Sequence, residues 1–210
     1  MKLFTHPGAS SLSVHVLLRE IGLPFELEVV NVTAKTRPDG SDYREAAPRG
    51  MVPLLILDDG TRLTENLVIA QYLCDRAERH DLMPASGTMA RYRVMEWQSF
   101  VAAELHKSFV PLNWPIEQGM RDLVVNRILG RLALAERDMV GPFLTGETFT
   151  AADAYFFVIA SWTRFYGIPL TALPRVEALI SRVADRPSVR LALTAEGHGM
   201  VDPAAPIPQP

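Results

Sequence analysis

The sequence predicts a mixed α/β unit at the N-terminal end and an all-helical unit after it. Three observations lead there. Residues 1–80 alternate short strand-like runs with helix-like ones. An Asp-Gly pair separates two short apolar runs, which is a hairpin signal. Beyond residue 87 the apolar spacing is helical, interrupted only where Pro or Gly stands.

The elements justify themselves in order. Lys2–Thr5 reads as a strand stopped by Pro7 and Gly8. Ser10 to Ile21 carries Leu12, Val14, Val16, Leu17, Leu18 and Ile21, too apolar for a surface helix; Ser10 or Ser11 suits its cap and Gly22 its left-handed stop. Phe25 to Val32 alternates apolar and polar residues, as a half-buried strand does. Thr33 to Gly50 is polar and punctuated by Pro38, Gly40 and Pro48, leaving room for one helical turn at most. Pro53–Leu57 is a continuous apolar run, expected of a strand covered on both faces. Asp58-Asp59-Gly60 turns the chain into Thr61–Leu63, and Thr64 caps a helix from Glu65 to Glu78. The order βαβαββα implies parallel pairing across the first crossover and an antiparallel hairpin at the end. It matches a thioredoxin-like domain.

The helical half is expected over Thr88–Phe109, Met120–Val140, Ala151–Tyr166, Pro174–Asp185 and Ser188–Ala195. The predicted division is therefore 1–80, a linker at 81–87, a helical domain over 88–200 and a proline-rich tail over 201–210. Within 210 residues, 48% are hydrophobic and 21% charged, which excludes wholesale disorder. A net charge of −3 without a clustered basic excess argues against a nucleic-acid partner. No apolar run reaches the ~18–20 residues that cross a bilayer. The single cysteine, Cys74, points to a reducing compartment, and the N-terminus lacks a signal peptide, so a cytoplasmic location is expected and a membrane one is not. His6, His15, His80 and His198 share no ligand spacing, and no metal is expected.

Some residues can carry chemistry. Thr64-Glu65-Asn66 sets a carboxylate and an amide at a helix N-terminus, where bare N–H groups and the dipole favour an anion; the same residues also suit plain capping. Ser10 and Ser11 stand at another such end, as caps or as hydroxyl donors. On the helix from Thr88, Val94, Trp97, Val101 and Leu105 form a core stripe, while Met95, Ser99, Ala103 and His106 form a small polar one ending in a titratable ring. His106 can donate a hydrogen bond, act as a base near pH 7, or serve as a structural residue. Thr150 with Asp153 reads as a capping box.

Three motifs then resemble cytosolic glutathione transferases. Gly50-Met51-Val52-Pro53-Leu54-Leu55 is similar to their G-x-V-P-x-L segment. Leu63-Thr64-Glu65-Asn66, continuing to Ala70-Gln71-Tyr72-Leu73, resembles L-x-E-S-x-x-I-x-x-Y-L. Thr150-Ala151-Ala152-Asp153 resembles S/T-x-A-D. Lys35, Trp97, Glu104-Leu105-His106-Lys107 and Ala195-Glu196-Gly197 narrow the likeness to the bacterial beta class. The resemblance implies a cis bond before Pro53 and a free main-chain edge at Val52 that pairs with the cysteinyl part of glutathione. It implies Glu65 on the ligand's ammonium, Asn66 or its backbone on the γ-glutamyl carboxylate, and Lys35 on the glycyl carboxylate or in solvent. Ser99 and Ala103 would allow close approach, and Glu104 would reach the glutathione of a second subunit in a homodimer. Phe109, Trp114, Trp162, Phe165 and Tyr166 would line a pocket for a small hydrophobic electrophile.

The class has a tyrosine in the first strand and a cysteine at the first helix; Thr5 and Ser10 stand there instead. Thiol activation then falls to Ser10, Ser11 or His106. A helix dipole of ~0.3–1 kcal/mol and a charged hydrogen bond of ~1.5–3 kcal/mol would lower a thiol pKa by roughly one to two units. The implied activity is conjugation of glutathione, as co-substrate and with no further cofactor, to an electrophilic carbon. The alternative is a non-catalytic ligand-binding or interaction protein on the same scaffold.

Overall fold

The computed structural model describes residues 1–197; His198 and the expected proline-rich tail lie outside the described residues. The described residues form two compact units, Met1–His80 with residues 186–197, and Asp81–Asp185.

The first unit is built on a four-stranded sheet of order β2-β1-β3-β4, from β1 Lys2–Thr5, β2 Glu26–Val29, β3 Leu54–Ile56 and β4 Arg62–Thr64. β1 runs parallel to β2 and antiparallel to β3, and β3 and β4 form the expected hairpin. Successive strand residues point to opposite faces, so β1 and β3 feed two cores. Leu3 and Leu55 pack with Val14 and Leu18 of α1 (Leu12–Ile21) and Ile69 and Leu73 of α2 (Asn66–Arg76). Phe4 and Leu54 pack with Val30, Tyr43 and Ala47 on the other face. Within 33–50 the chain makes a single helical turn, Tyr43–Glu45, in keeping with the one turn at most expected there. Tyr43 plugs that face fully buried, its hydroxyl donating to the Met51 carbonyl at 2.9 Å. Burial pushes its phenol well above the ordinary tyrosine range.

Gly22 ends α1 in the left-handed conformation at φ 80°, its N–H on the Leu18 carbonyl, as its position predicts. Every residue from Leu12 to Leu18 is buried. The sheet covers one side of such a helix only, and α8 (Pro187–Glu196) packs against α1 as well, through buried Val189, Ala192 and Leu193. This corrects the expected domain over 88–200: its last helix belongs to the sheet unit. Arg186 and Ser188 at the start of α8 both bond the Glu20 carboxylate at the end of α1.

The second unit is helical. Its chain begins in the stretch expected as a linker, but Leu82 and Met83 are buried and the Leu82 carbonyl accepts from Ala151 N–H at 2.9 Å, so 81–87 is packed. α3 (Met89–Phe100) widens into a π turn over Val101–His106, regains α geometry in α4 (Lys107–Phe109) and tightens to a 3₁₀ turn over Val110–Asn113. One uninterrupted helix was expected there. α5 (Gln118–Asp138), α6 (Ala151–Phe165) and α7 (Pro174–Ala184) complete the unit. α6 is buried from Ala151 to Ser161 and packs against α3 and α7. The Thr150–Asp153 capping box forms as read, and Asp153 also accepts from Leu144 N–H at 2.8 Å.

Candidate active site

The sheet unit gathers most of the expected site residues. Thr5 ends β1, and Gly8 turns the chain at φ 69° toward α1. Beneath this turn lies a buried polar network. Glu196, at the end of α8, accepts from the Thr5 hydroxyl at 2.9 Å, Gly8 N–H at 3.3 Å and His15 Nδ1 at 2.9 Å. Arg19 Nε donates to His15 Nε2, which assigns the imidazole proton to Nδ1. The Ser11 hydroxyl is 2.8 Å from that of Thr5 and accepts from His6 N–H at 3.3 Å.

One expectation changes here. Ser11 has no side-chain bond to its helix and is fully buried, so it ties β1 to α1 instead of capping. Thr5 is equally buried and points into the same network, which removes it from any ligand. Ser10 differs from its neighbour: among the described residues, neither its hydroxyl nor its N–H makes a hydrogen bond. At the start of α1 these are the groups free to meet an anion. Sequence reasoning did not anticipate the network around Glu196; Ala195-Glu196-Gly197 appeared only as part of a likeness.

Across the sheet the Val52–Pro53 bond is cis, as the resemblance implies. β3 starts at Leu54, and among the described residues neither main-chain group of Val52 is hydrogen-bonded. Lys35 lies along the preceding turn, its Nζ donating to the Gly50 carbonyl at 2.8 Å. Its stem is close enough that a Cβ on Gly50 would stand 2.9 Å from Lys35 Cδ, and Gly50 itself sits at φ +59°. The turn therefore requires glycine.

Glu65 precedes α2 with φ 72°, a conformation that costs a non-glycine residue ~1–3 kcal/mol. Among the described residues its exposed carboxylate pairs with the Arg49 guanidinium alone, at 3.4 Å. The helix starts at Asn66, and neither Thr64 nor Glu65 caps it through a side chain; the expected Thr64 cap is absent because Thr64 closes β4. The Asn66 side chain is engaged with Ser10 and Ser13 of α1's first turn, so at this helix end the main-chain N–H groups remain for an anion.

In the helical unit, the π turn carries Ala103, Glu104 and His106. His106 Nδ1 is 3.0 Å from the Tyr155 hydroxyl, and its ring meets the Trp162 ring edge-on with centroids 5.0 Å apart. Burial, and secondarily the Lys107 charge, hold its pKa down to about 4. The ring is therefore neutral at pH 7, which favours the hydrogen-bonding or structural role over that of a base titrating near that pH. Glu104 is bonded within the chain, to Arg131 Nε at 2.8 Å with Arg127 3.5 Å away. Ser99 and Ala103 are exposed, in keeping with the small stripe, whereas Gln98 replaces the half-buried Trp97 in the core stripe. Phe109 is fully buried between Trp162 and Tyr166 and supports the aromatic group instead of lining a pocket. Phe165 and Tyr166 are half-buried, rings 4.6 Å apart, and Trp114 is 61% exposed. Tyr155 and Arg131 were not singled out, whereas Trp162 was expected only as a pocket-lining residue; the packing of α5 and α6 against the π turn brings all three near.

Among the described residues no cluster of three or more His, Cys, Asp or Glu can hold a metal ion, and no helix is long and apolar enough to cross a membrane. Comparison with known proteins is consistent across sequence and structure. A model of the glutathione S-transferase N-terminal domain matches residues 9–76. Glutathione S-transferase GstA of Escherichia coli O157:H7 is 39% identical over 199 residues, spanning 94% of this chain and 99% of that one. The bacterial transferase BphK, solved as a ternary complex, superposes with a TM-score of 0.89 at 42% identity over 94% of this chain and all of its own. A sphingomonad glutathione S-transferase solved with glutathione gives 0.88 at 38% identity over 94% and 99%. A likeness that runs nearly end to end in both sequence and fold leaves one assignment: the chain belongs to the glutathione S-transferase family.

Proposed function

We propose that this protein conjugates glutathione to small hydrophobic electrophiles, with the sheet unit holding the tripeptide. The observation that carries the reading is the unpaired main chain at Val52, flanked by the Lys35 ammonium and standing in the same unit as the two helix starts. An extended peptide pairs with such a free segment as an added strand does. In this reading Val52 and Pro53 meet the cysteinyl residue and Lys35 the glycyl carboxylate. The first N–H groups of α2 take the γ-glutamyl carboxylate, and Glu65 takes its ammonium by a charge-assisted bond.

The thiol then needs its anion stabilised. Ser10 supplies a free hydroxyl and a free N–H at the start of α1, while Ser11 and Thr5 are withdrawn into the Glu196 network. The thiolate attacks an electrophilic carbon, an S–C bond forms, and a leaving group such as halide departs with its electron pair; the thiol proton goes to solvent. Proximity and thiolate stabilisation are the protein's contributions. The half-buried aromatic group of Trp162, Phe165 and Tyr166, with the exposed Trp114, offers apolar surface to the electrophile. In this reading the protein works as a homodimer in the cytoplasm, a location that a single cysteine, the buried Cys74, suits.

The test is retention on immobilised glutathione together with turnover of an aryl halide. Replacing Ser10 by Ala removes one hydrogen bond to the thiolate and should lower kcat/KM by roughly ten- to a hundredfold, the equivalent of ~1.5–3 kcal/mol. Ser11→Ala should act on stability instead. No retention and no turnover by the wild type would favour the scaffold reading.

A further inference from the structure

The first turns of α1 and α2 are joined by a polar knot. Asn66 Nδ2 donates to the Ser10 carbonyl at 3.2 Å, and Asn66 Oδ1 accepts from the Ser13 hydroxyl at 2.5 Å. That hydroxyl also lies 2.8 Å from the Ser10 carbonyl, but it has a single proton, and the shorter distance assigns it to Asn66. The Ser10 carbonyl takes the Ser13 N–H as well, at 3.2 Å. A flipped amide would face Oδ1 against that carbonyl, two acceptors together, so the orientation is determined by its partners. All three residues are over nine-tenths buried.

An amide at the start of a helix usually bonds its own helix's N–H groups. Asn66 does the reverse and puts both polar ends on α1. Here the chain departs from the serine of the L-x-E-S pattern. What the knot joins is the Ser10 turn, with its free hydroxyl, and the N–H groups opening α2.

We infer that Asn66 and Ser13 are a positioning pair that fixes the separation between the thiol-holding start of α1 and the carboxylate-holding start of α2, and that the Asn66 side chain does not touch glutathione. The inference rests on the glutathione-binding reading above. The thiol and the γ-glutamyl carboxylate belong to one small molecule, so a slack spacing between their subsites leaves one of them badly placed. Val52, Lys35 and Glu65 still hold the peptide, and the loss falls on the thiol. Its signature is a raised thiol pKa and a lowered kcat, with KM for glutathione little changed.

The experiment follows the ultraviolet absorbance of the bound thiolate against pH, with kcat and KM, in the wild type and in Ser13→Ala, Asn66→Ala, the double variant and Asn66→Asp. Ser13→Ala leaves the start of α2 untouched, so it tests the knot even if Asn66→Ala folds poorly. The expected result is a thiol pKa higher by about one unit, with kcat near pH 6.5 down about tenfold and KM within about threefold. The double variant should be no worse than Asn66→Ala alone, because both changes cut one tie. Asn66→Asp should not rescue, since it sets a carboxylate against the Ser10 carbonyl. Wild-type thiol pKa and kcat in Ser13→Ala would overturn the inference, as would an Asn66→Ala effect confined to KM or additive losses in the double variant. A wild type that takes up no glutathione in calorimetry would instead remove the functional reading, and this inference with it.

Discussion

The neutral state of His106 makes a sharp prediction about acid–base chemistry. Burial is the main cause of its lowered pKa, with the adjacent Lys107 charge second, and the value falls from 6.5 to about 4. At pH 7 about one imidazole in a thousand is then protonated. A glutathione thiol of pKa ~8.5 would lose about 6 kcal/mol in handing its proton to this ring, against about 3 kcal/mol for an unperturbed histidine. His106 is therefore no proton acceptor for the thiol. Because the folded pKa lies below the unfolded one, the associated stability is fully present above pH ~6.5 and is lost as pH falls through about 4. The total loss is about 3 kcal/mol relative to His106→Asn, which does not titrate there. The assay is NMR of the imidazole carbons against pH, with urea unfolding of both proteins at pH 7 and pH 4. The midpoint should lie below 5, Lys107→Met should raise it, and kcat/KM should show no inflection near pH 6.5 that His106→Asn abolishes. A midpoint at 6 or above would refute the reasoning, because neither burial nor Lys107 would then be felt by the ring.

Three further outcomes follow from buried partners. Glu196→Ala strands the Thr5 hydroxyl, Gly8 N–H and His15 inside the protein and should cost about 3–5 kcal/mol in urea unfolding, with Glu196→Gln intermediate. Glu20 is pushed up by burial, but bonds from Arg186 and Ser188, helped by the Arg186 and Arg79 charges, outweigh this and leave it below 4.5. Its stabilising contribution is thus present above the ordinary carboxylate value and lost as pH falls through the lowered one; Glu20→Gln should flatten the acid limb of Tm against pH. Asp153→Ala removes the acceptor of Thr150 N–H, the Thr150 hydroxyl and Leu144 N–H, and should lower stability by about 2–4 kcal/mol in the same denaturation assay.

What the sequence made legible were features whose physics is local. Gly22 ends α1 because the left-handed stop needs it, Asp59-Gly60 turns the hairpin, and Thr150 finds Asp153 three residues on. Lys2–Thr5 reads as a strand from its own residues, and strand alternation then sets Leu3 and Phe4 on opposite faces. The features that were hidden depend on contacts across the chain. Glu196 lies 191 residues from the Thr5 hydroxyl it accepts, and α8 shows in its own spacing that one face is buried but not against what. The two serines make the point at the site itself. Ser10 and Ser11 are alike in type, neighbouring in sequence and equally suited to capping, yet one turn of backbone sends Ser11 under β1 and leaves Ser10 free. Only the acceptors around them separate the two roles, and those acceptors come from β1 and, through Thr5, from α8. A hydroxyl already saturated by buried partners cannot also stabilise a thiolate, so the choice between Ser10 and Ser11 turns on which hydrogen bonds are already made, a property of the folded unit that residue type and spacing do not encode.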